Sequence, residues 1–270
     1  MEITKVKGIV ISENAYSETS KLLNIFTEEY GIISVIAKGA KSIKSPIRSV
    51  TTKLTYAIFQ IYYKKGKLST LVCADVINPF TEIKKDLLKI SYASFLLELT
   101  SQVLKQTNEK DIFELLEETL LKIEDGYDPI IITNILELKY LDYLGIKPVL
   151  DSCAVCGRPS AITVSTSKGG FVCANCHTNE KIVDKKTINV LRKLYHVDIS
   201  KISKIKLSNN TRKEIDDFIN EYYDRYSGLY LKSKNFLKSI KCIHIKIKYV
   251  IMSLIKKAMT KCGNLNSYIT

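Results

Sequence analysis

Three observations predict an α+β chain of several domains. Runs rich in β-branched and aromatic residues mark residues 1–80, and helical periodicity runs over residues 81–240. Two Cys-x-x-Cys pairs stand inside the helical part, at 151–180. The length of 270 residues suffices for about two domains with buried cores.

The strand-like part comes first. Val6–Ile11, Leu22–Thr27, Ile32–Ala37, Leu54–Tyr63 and Leu68–Asp75 are rich in β-branched and aromatic residues. Turns at Glu28-Glu29-Tyr30-Gly31 and Lys64-Lys65-Gly66-Lys67 separate them. Five short strands with glycine-bearing turns predict a small closed barrel, and the OB-fold is the commonest of that kind.

From Thr81 the period becomes helical. Ile83, Leu87, Leu88, Phe95, Leu96, Leu99 and Val103 place one apolar stripe on a single long helix. Asp111, with Glu114 in the capping-box position, opens a second helix through Leu121. Asp128-Pro129 starts a third, which Gly145 ends. Residues 186–195 and 211–227 read as further amphipathic helices.

Cys153, Cys156, Cys173 and Cys176 form two close pairs separated by 16 residues. Each pair makes a tight knuckle supplying two thiolates, and four soft ligands suit a tetrahedral Zn2+. Ala161–Thr166 and Phe171-Val172 form two short strands joined at Lys168-Gly169-Gly170, a zinc-ribbon layout. Four thiolates close the metal's shell, so one structural zinc is expected, not a catalytic one. Cys173–His177 also matches the CxxCH pattern of haem attachment, but haem would leave Cys153 and Cys156 without a role. Cys73, Cys242 and Cys262 read as inert thiols.

The net charge of +13 is unevenly spread. Residues 1–80 hold 11 basic and 6 acidic groups, and residues 81–150 hold 8 and 13. Residues 181–240 hold 14 and 7, and residues 241–270 add 6 lysines and no acid. An AT-rich genome enriches lysine, yet basic regions flanking an acidic middle also suit a polyanion. Lys38, Lys41, Lys44 and Arg48 leave the third predicted strand in a small-residue loop that could meet phosphates. Tyr16, Tyr56 and Tyr62 either stack on bases or pack the barrel. Nothing matches a phosphate-cradling glycine loop or a nucleophile–base constellation, and a small-molecule substrate is not expected. The chain opens without a signal-type apolar core, and no apolar run approaches the roughly 20 residues of a membrane span. A cytoplasmic location is therefore expected.

In this order the motifs resemble one family. Tyr16-Ser17-Glu18, Leu22–Thr27, Glu28-Glu29-Tyr30-Gly31 and Ala37-Lys38-Gly39-Ala40-Lys41 are similar to the opening of RecO, the bacterial recombination-mediator and DNA-repair family. Leu144-Gly145-Ile146-Lys147-Pro148 before Asp151-Ser152-Cys153 is the most specific match, and Leu231-Lys232-Ser233 with Phe236-Leu237 resembles the usual ending. The resemblance implies an OB-fold on a helical domain, the zinc-binding variant, and binding and annealing of single- and double-stranded DNA. It also implies partnership with RecR, contact with the C-terminal tail of single-stranded DNA-binding protein, and indirect help in loading RecA, without catalytic residues. That tail is acidic, which makes Arg192, Lys193, Arg212 and Lys213 candidates for it, with a solvated helix face as the other reading. Two other functional classes stand beside this one: a zinc-ribbon scaffold that binds protein only, and a nucleic-acid-modifying enzyme. Residues 241–270 extend past the family's ending, with Ile243, Ile245 and Ile247 alternating against His244, Lys246 and Lys248. A nucleic-acid arm, a membrane-surface segment and a poorly ordered extension all fit this pattern.

Overall fold

The first strand carries an unbroken apolar run, Gly8-Ile9-Val10-Ile11, because both of its faces are buried. The structure, a computed structural model, describes residues 2–107, 109–234, 236–237 and 239–240. The extension at 241–270 lies outside the described residues. Strands β1 (Thr4–Ala15), β2 (Lys21–Thr27), β3 (Gly31–Ala37), β4 (Tyr56–Tyr62) and β5 (Ser69–Asn78) close a barrel in the order β1-β2-β3-β5-β4. All neighbours are antiparallel except β3 and β5, whose parallel pairing at Val35–Ser69 and Ile36–Thr70 completes the circuit. This is the expected five-stranded architecture.

Alternation then sorts the side chains. Val6, Val10, Leu23, Ile25, Val35, Phe59 and Ile61 fill the barrel. Ile9, Ile11, Phe26 and Tyr56 point outward and join the core of the helical part. Gly8 is required where β1 crosses β2, since a Cβ there would stand 2.7 Å from the Ile25 Cγ2 atom.

The helical part differs from expectation at its start. The single long helix is two, α1 (Thr81–Lys85) and α2 (Leu87–Val103). Asp86 is extended between them, and its carboxylate accepts the Leu88 and Lys89 N–H groups at 2.8 and 3.0 Å. Leu87, assigned to the apolar stripe, is accordingly exposed. The next helix, α3 (Asp111–Glu124), starts after Lys110, so Asp111 is its first residue and makes no side-chain cap. Its carboxylate and that of Glu114 still favour the positive end of the helix. By contrast, α4 (Pro129–Tyr143) begins as its sequence predicts, with Asp128 accepting from Ile130 at 3.0 Å. Gly145, at φ 70, ends it. Ten residues of α4 are buried on all sides, from Ile131 to Leu141, because α4 is the axis around which the other helices pack. Helices α5 (Lys185–His196) and α6 (Asn209–Tyr226) complete the bundle. Tyr195 donates to Asp142 at 2.6 Å, and Tyr223 donates to the Glu137 carbonyl at 2.8 Å. No described helix is long and apolar enough to cross a membrane.

Barrel and bundle share one polar knot inside their apolar seam. Lys7 on β1 reaches Glu117 on α3 at 3.0 Å, and Tyr56 donates its hydroxyl to the other oxygen of that carboxylate. Phe26 meets Phe113 edge-on at 5.3 Å, and Tyr56 stacks on Phe80 at 6.4 Å. Burial, reinforced by Glu117, pushes the Tyr56 phenol up to about 12 from an ordinary 10. A raised folded-state value favours the protonated phenol. Its stabilisation is therefore complete below pH 10 and is lost as pH rises towards 12. Tyr56→Phe is expected to cost about 1–2 kcal/mol at neutral pH, the penalty for a carboxylate losing a buried partner. Urea unfolding of both proteins checks this, and the gap between them should narrow between pH 10 and 12.

Candidate metal centre and nucleic-acid interface

The cysteine module hangs on a short hairpin, β6 (Thr163–Ser165) and β7 (Gly170–Val172). In the first knuckle Gly157 donates to the Cys153 carbonyl at 2.8 Å, with Gly157 at φ 74. In the second, Cys176 and His177 both donate to the Cys173 carbonyl, at 3.1 and 3.0 Å. Ala154 donates to the Phe171 carbonyl at 2.7 Å, which binds the first knuckle to the hairpin. The four sulfurs lie within 4.8 Å of one another. Thiolates at ~2.3 Å from a tetrahedral zinc stand about 3.8 Å apart, so the cluster is close to ligand spacing. The Cys156–Cys173 separation is 3.7 Å.

The donor set also suits a cation. Burial opposes ionisation of Cys153, but N–H groups of Cys173, Cys156 and Val155 outweigh it and draw the thiol down to about 6. The neighbouring thiol of Cys156 first, then burial, push Cys176 up to about 12. Four sulfurs this close cannot all be anionic unless a positive ion sits among them. The residues therefore fit a divalent metal with four thiolate ligands. His177 turns away from the cluster and contacts the Glu180 carbonyl at 2.7 Å. Because Cys173 and Cys176 share their cluster with Cys153 and Cys156, they do not stand apart as a haem-attachment pair.

Three contacts seat the module on the bundle. Val149 bridges in parallel to Gly170, where an added Cβ would stand 2.1 Å from the Val149 oxygen. Arg192 on α5 donates to the Leu150 carbonyl at 3.1 Å and lies over the Phe171 ring at 5.3 Å. Tyr226 on α6 donates to the Thr166 carbonyl at 2.8 Å.

The second candidate site is on the barrel. Residues 38–54 form turns and bends after β3, and Lys38, Lys41, Lys44 and Arg48 are all exposed there. Lys41 donates its backbone N–H to Thr19 at 2.9 Å and its ammonium to the Ser17 carbonyl at 3.0 Å. The basic run thus rests on the β1–β2 loop, which carries Tyr16, itself 54% exposed. Tyr56 is 2% exposed and belongs to the seam with the helices, so it is not available to a base. Tyr62 is half-buried on β4.

Family models match both halves of the chain: Recombination protein O N terminal over residues 1–80, and Recombination protein O C terminal over residues 84–235. A DNA repair protein RecO of Halalkalibacterium halodurans is 37% identical over 242 residues, covering 87% of this chain and 94% of its own. One of Bacillus cytotoxicus is 36% identical over 241 residues, covering 87% and 97%. One of Listeria monocytogenes is 34% identical over 241 residues, covering 87% and 94%. The chain belongs to the RecO family.

In this RecO-family fold the four candidate partner-binding cations fall into two kinds. Arg192 holds the cysteine module, and Arg212 pairs with Asp128, the cap of α4, at 2.5 Å. Lys193 and Lys213 are exposed on α5 and α6. Sequence reasoning missed the internal use of both arginines, because their partners lie 42 and 84 positions away in the chain.

Cys153→Ser or Cys173→Ser is expected to abolish stoichiometric metal binding, measured by elemental analysis, and to lower the melting temperature. Gly170→Ala should leave the four thiols in place but expose the hairpin. Hydrogen exchange faster at 163–172 than in the barrel would show this.

Proposed function

We propose that this RecO-family chain is a DNA-binding recombination mediator in DNA repair that works by holding and pairing strands, without catalysis. The observation that carries the reading is the exposed cationic run Lys38, Lys41, Lys44 and Arg48 beside Tyr16, at one end of a barrel of OB type. Among the described residues, none of these four cations pairs with a carboxylate. Their charge is left for phosphates, and binding releases counterions from the nucleic acid. Tyr16 offers a ring face to an unstacked base, which favours single strands without reading sequence. A chain that neutralises two strands at once lowers their mutual repulsion, and complementary strands then anneal.

In this reading residues 1–80 are the nucleic-acid-binding domain. Residues 81–240 form the helical domain, with the zinc module at 151–180, and residues 241–270 are a basic extension. The metal is one Zn2+ held by Cys153, Cys156, Cys173 and Cys176. Bound there, it supplies charge neutralisation and a rigid cross-link, and no reacting atom passes through it. Lys193 and Lys213 are the exposed cations that suit the acidic tail of single-stranded DNA-binding protein. RecR is the direct partner, RecA gains indirectly, and the protein acts in the cytoplasm.

The test is annealing of complementary strands coated with their binding protein, without ATP, over a series of salt concentrations. Fast annealing that falls steeply with salt supports the reading, and absence of DNA binding overturns it. Replacing Lys38 and Lys41 together by Ala should flatten the plot of log affinity against log salt by about 1.4 on single strands, given roughly 0.7 per phosphate contact. An unchanged slope would move the DNA to another face.

A further inference from the structure

The four cysteines are unequal. Cys153 and Cys173 are each 1% exposed, Cys176 is half-buried, and Cys156 is exposed. Cys153 lies under the hairpin and accepts the Cys173 N–H at 3.4 Å. The second knuckle is guarded from outside: Lys168 donates to the Cys176 carbonyl at 2.8 Å and pairs with Glu180 at 2.6 Å. Cys156 has no such cover. The residue before it, Val155, is 56% exposed, and the glycine after it is exposed too. Cys156 is therefore the most exposed of the four cysteines.

From this asymmetry we infer that Cys156 is a site of oxidative modification, through which a peroxide opens the metal cluster and frees the module from its cross-link. The inference rests on the four-thiolate zinc reading. A thiolate bound to zinc keeps nucleophilic character, and access then decides which sulfur reacts. The Cys156 sulfur attacks one oxygen of hydrogen peroxide, the O–O bond breaks, and hydroxide leaves as a sulfenic acid forms on Cys156. The Cys173 thiolate, 3.7 Å away, then attacks the sulfenyl sulfur. The S–S bond forms, the S–O bond breaks, and a second hydroxide leaves. Two thiolates, one peroxide and two protons thus become one disulfide and two waters. The remaining pair, Cys153 and Cys176, is too few donors for a closed tetrahedral shell, and the ion departs. The disulfide spans the two knuckles, so reduction and fresh zinc restore the original state.

The experiment uses the full chain, purified with zinc and assayed for zinc content before oxidant is added. Hydrogen peroxide is titrated in while a colorimetric chelator reports released zinc. A parallel arm traps sulfenic acid with dimedone and maps it by mass spectrometry. Cleavage after Lys168 separates the two cysteine pairs, so a disulfide between knuckles appears as a linked pair of peptides. The expected result is loss of the bound zinc at the rate at which Cys156 is trapped, together with the linked peptides. Trapping first at Cys153, Cys173 or Cys176 overturns the proposal, as does a disulfide within one knuckle or zinc retained under peroxide. A protein that holds no zinc before oxidation overturns the metal reading itself, which separates the two failures.

Discussion

The fold depends on one strand being buried on both sides. Val6 and Val10 on β1 enter the barrel, while Ile9 and Ile11 leave it for the helices, and all four are nearly inaccessible to solvent. A barrel this small fills its interior with few side chains, so its stability is helped by the second core it shares with the bundle. The seam is also where the backbone is strained. Leu54 and Phe80 adopt left-handed conformations at φ 60 and 52, although neither is glycine, and both are almost wholly buried. Each costs on the order of 1–2 kcal/mol in backbone energy, which burial of a large apolar side chain offsets at roughly 1.5–3 kcal/mol. Both side chains pack in the core that barrel and bundle share, and Phe80 does so where the chain passes from β5 to α1.

Carboxylates also tie the fold together across long stretches of sequence, and Glu117 does so between barrel and bundle. Glu124 at the end of α3 accepts the Glu82 and Ile83 N–H groups at 2.9 and 2.8 Å, supplying the N-terminus of α1 with the cap that Phe80 cannot provide. Glu98 on α2 accepts the N–H groups of Lys232 and Ser233, at 2.9 and 2.8 Å, and ties down the end of the described chain. Glu117 joins Lys7 and Tyr56. The acidic balance of residues 81–150 is in part this internal use, and the segregation of charge along the sequence is in part structural.

How much could be read in advance follows from the range of each determinant. The barrel strands were legible because β-branched and aromatic runs between glycine-bearing turns are local signals, and the knuckles because two Cys-x-x-Cys pairs state their geometry outright. Asp128-Pro129 and Gly145 delimit α4 by local chemistry in the same way. The break at Asp86 was missed although its signal is present: Lys84 and Lys85 close one helix, and an aspartate opens the next. A continuous apolar stripe concealed it. The burial of Tyr56 was not legible, because a strand aromatic facing outward meets solvent or a neighbouring domain with no local difference. The same holds for Arg192 and Arg212, whose carbonyl and carboxylate partners come from other elements.

These distinctions bear on how a net charge of +13 should be interpreted. Most cations of such a protein are solvated or paired, and the total measures only non-specific attraction. What separates Lys38, Lys41, Lys44 and Arg48 from Lys7, Lys168 and Arg212 is the company each keeps. The latter three face carboxylates at 3.0, 2.6 and 2.5 Å, and their charge is already neutralised at a seam. The former four project from a turn-rich run that Lys41 fixes by its backbone N–H to Thr19 and its ammonium to the Ser17 carbonyl, and among the described residues none of the four faces a carboxylate. A polyanion gains little from a cation that must first abandon a partner, because leaving that partner unpaired costs about what the new contact supplies. On the proposed reading, the four unpaired cations of the turn-rich run after β3 are therefore the barrel's contribution to a nucleic-acid face.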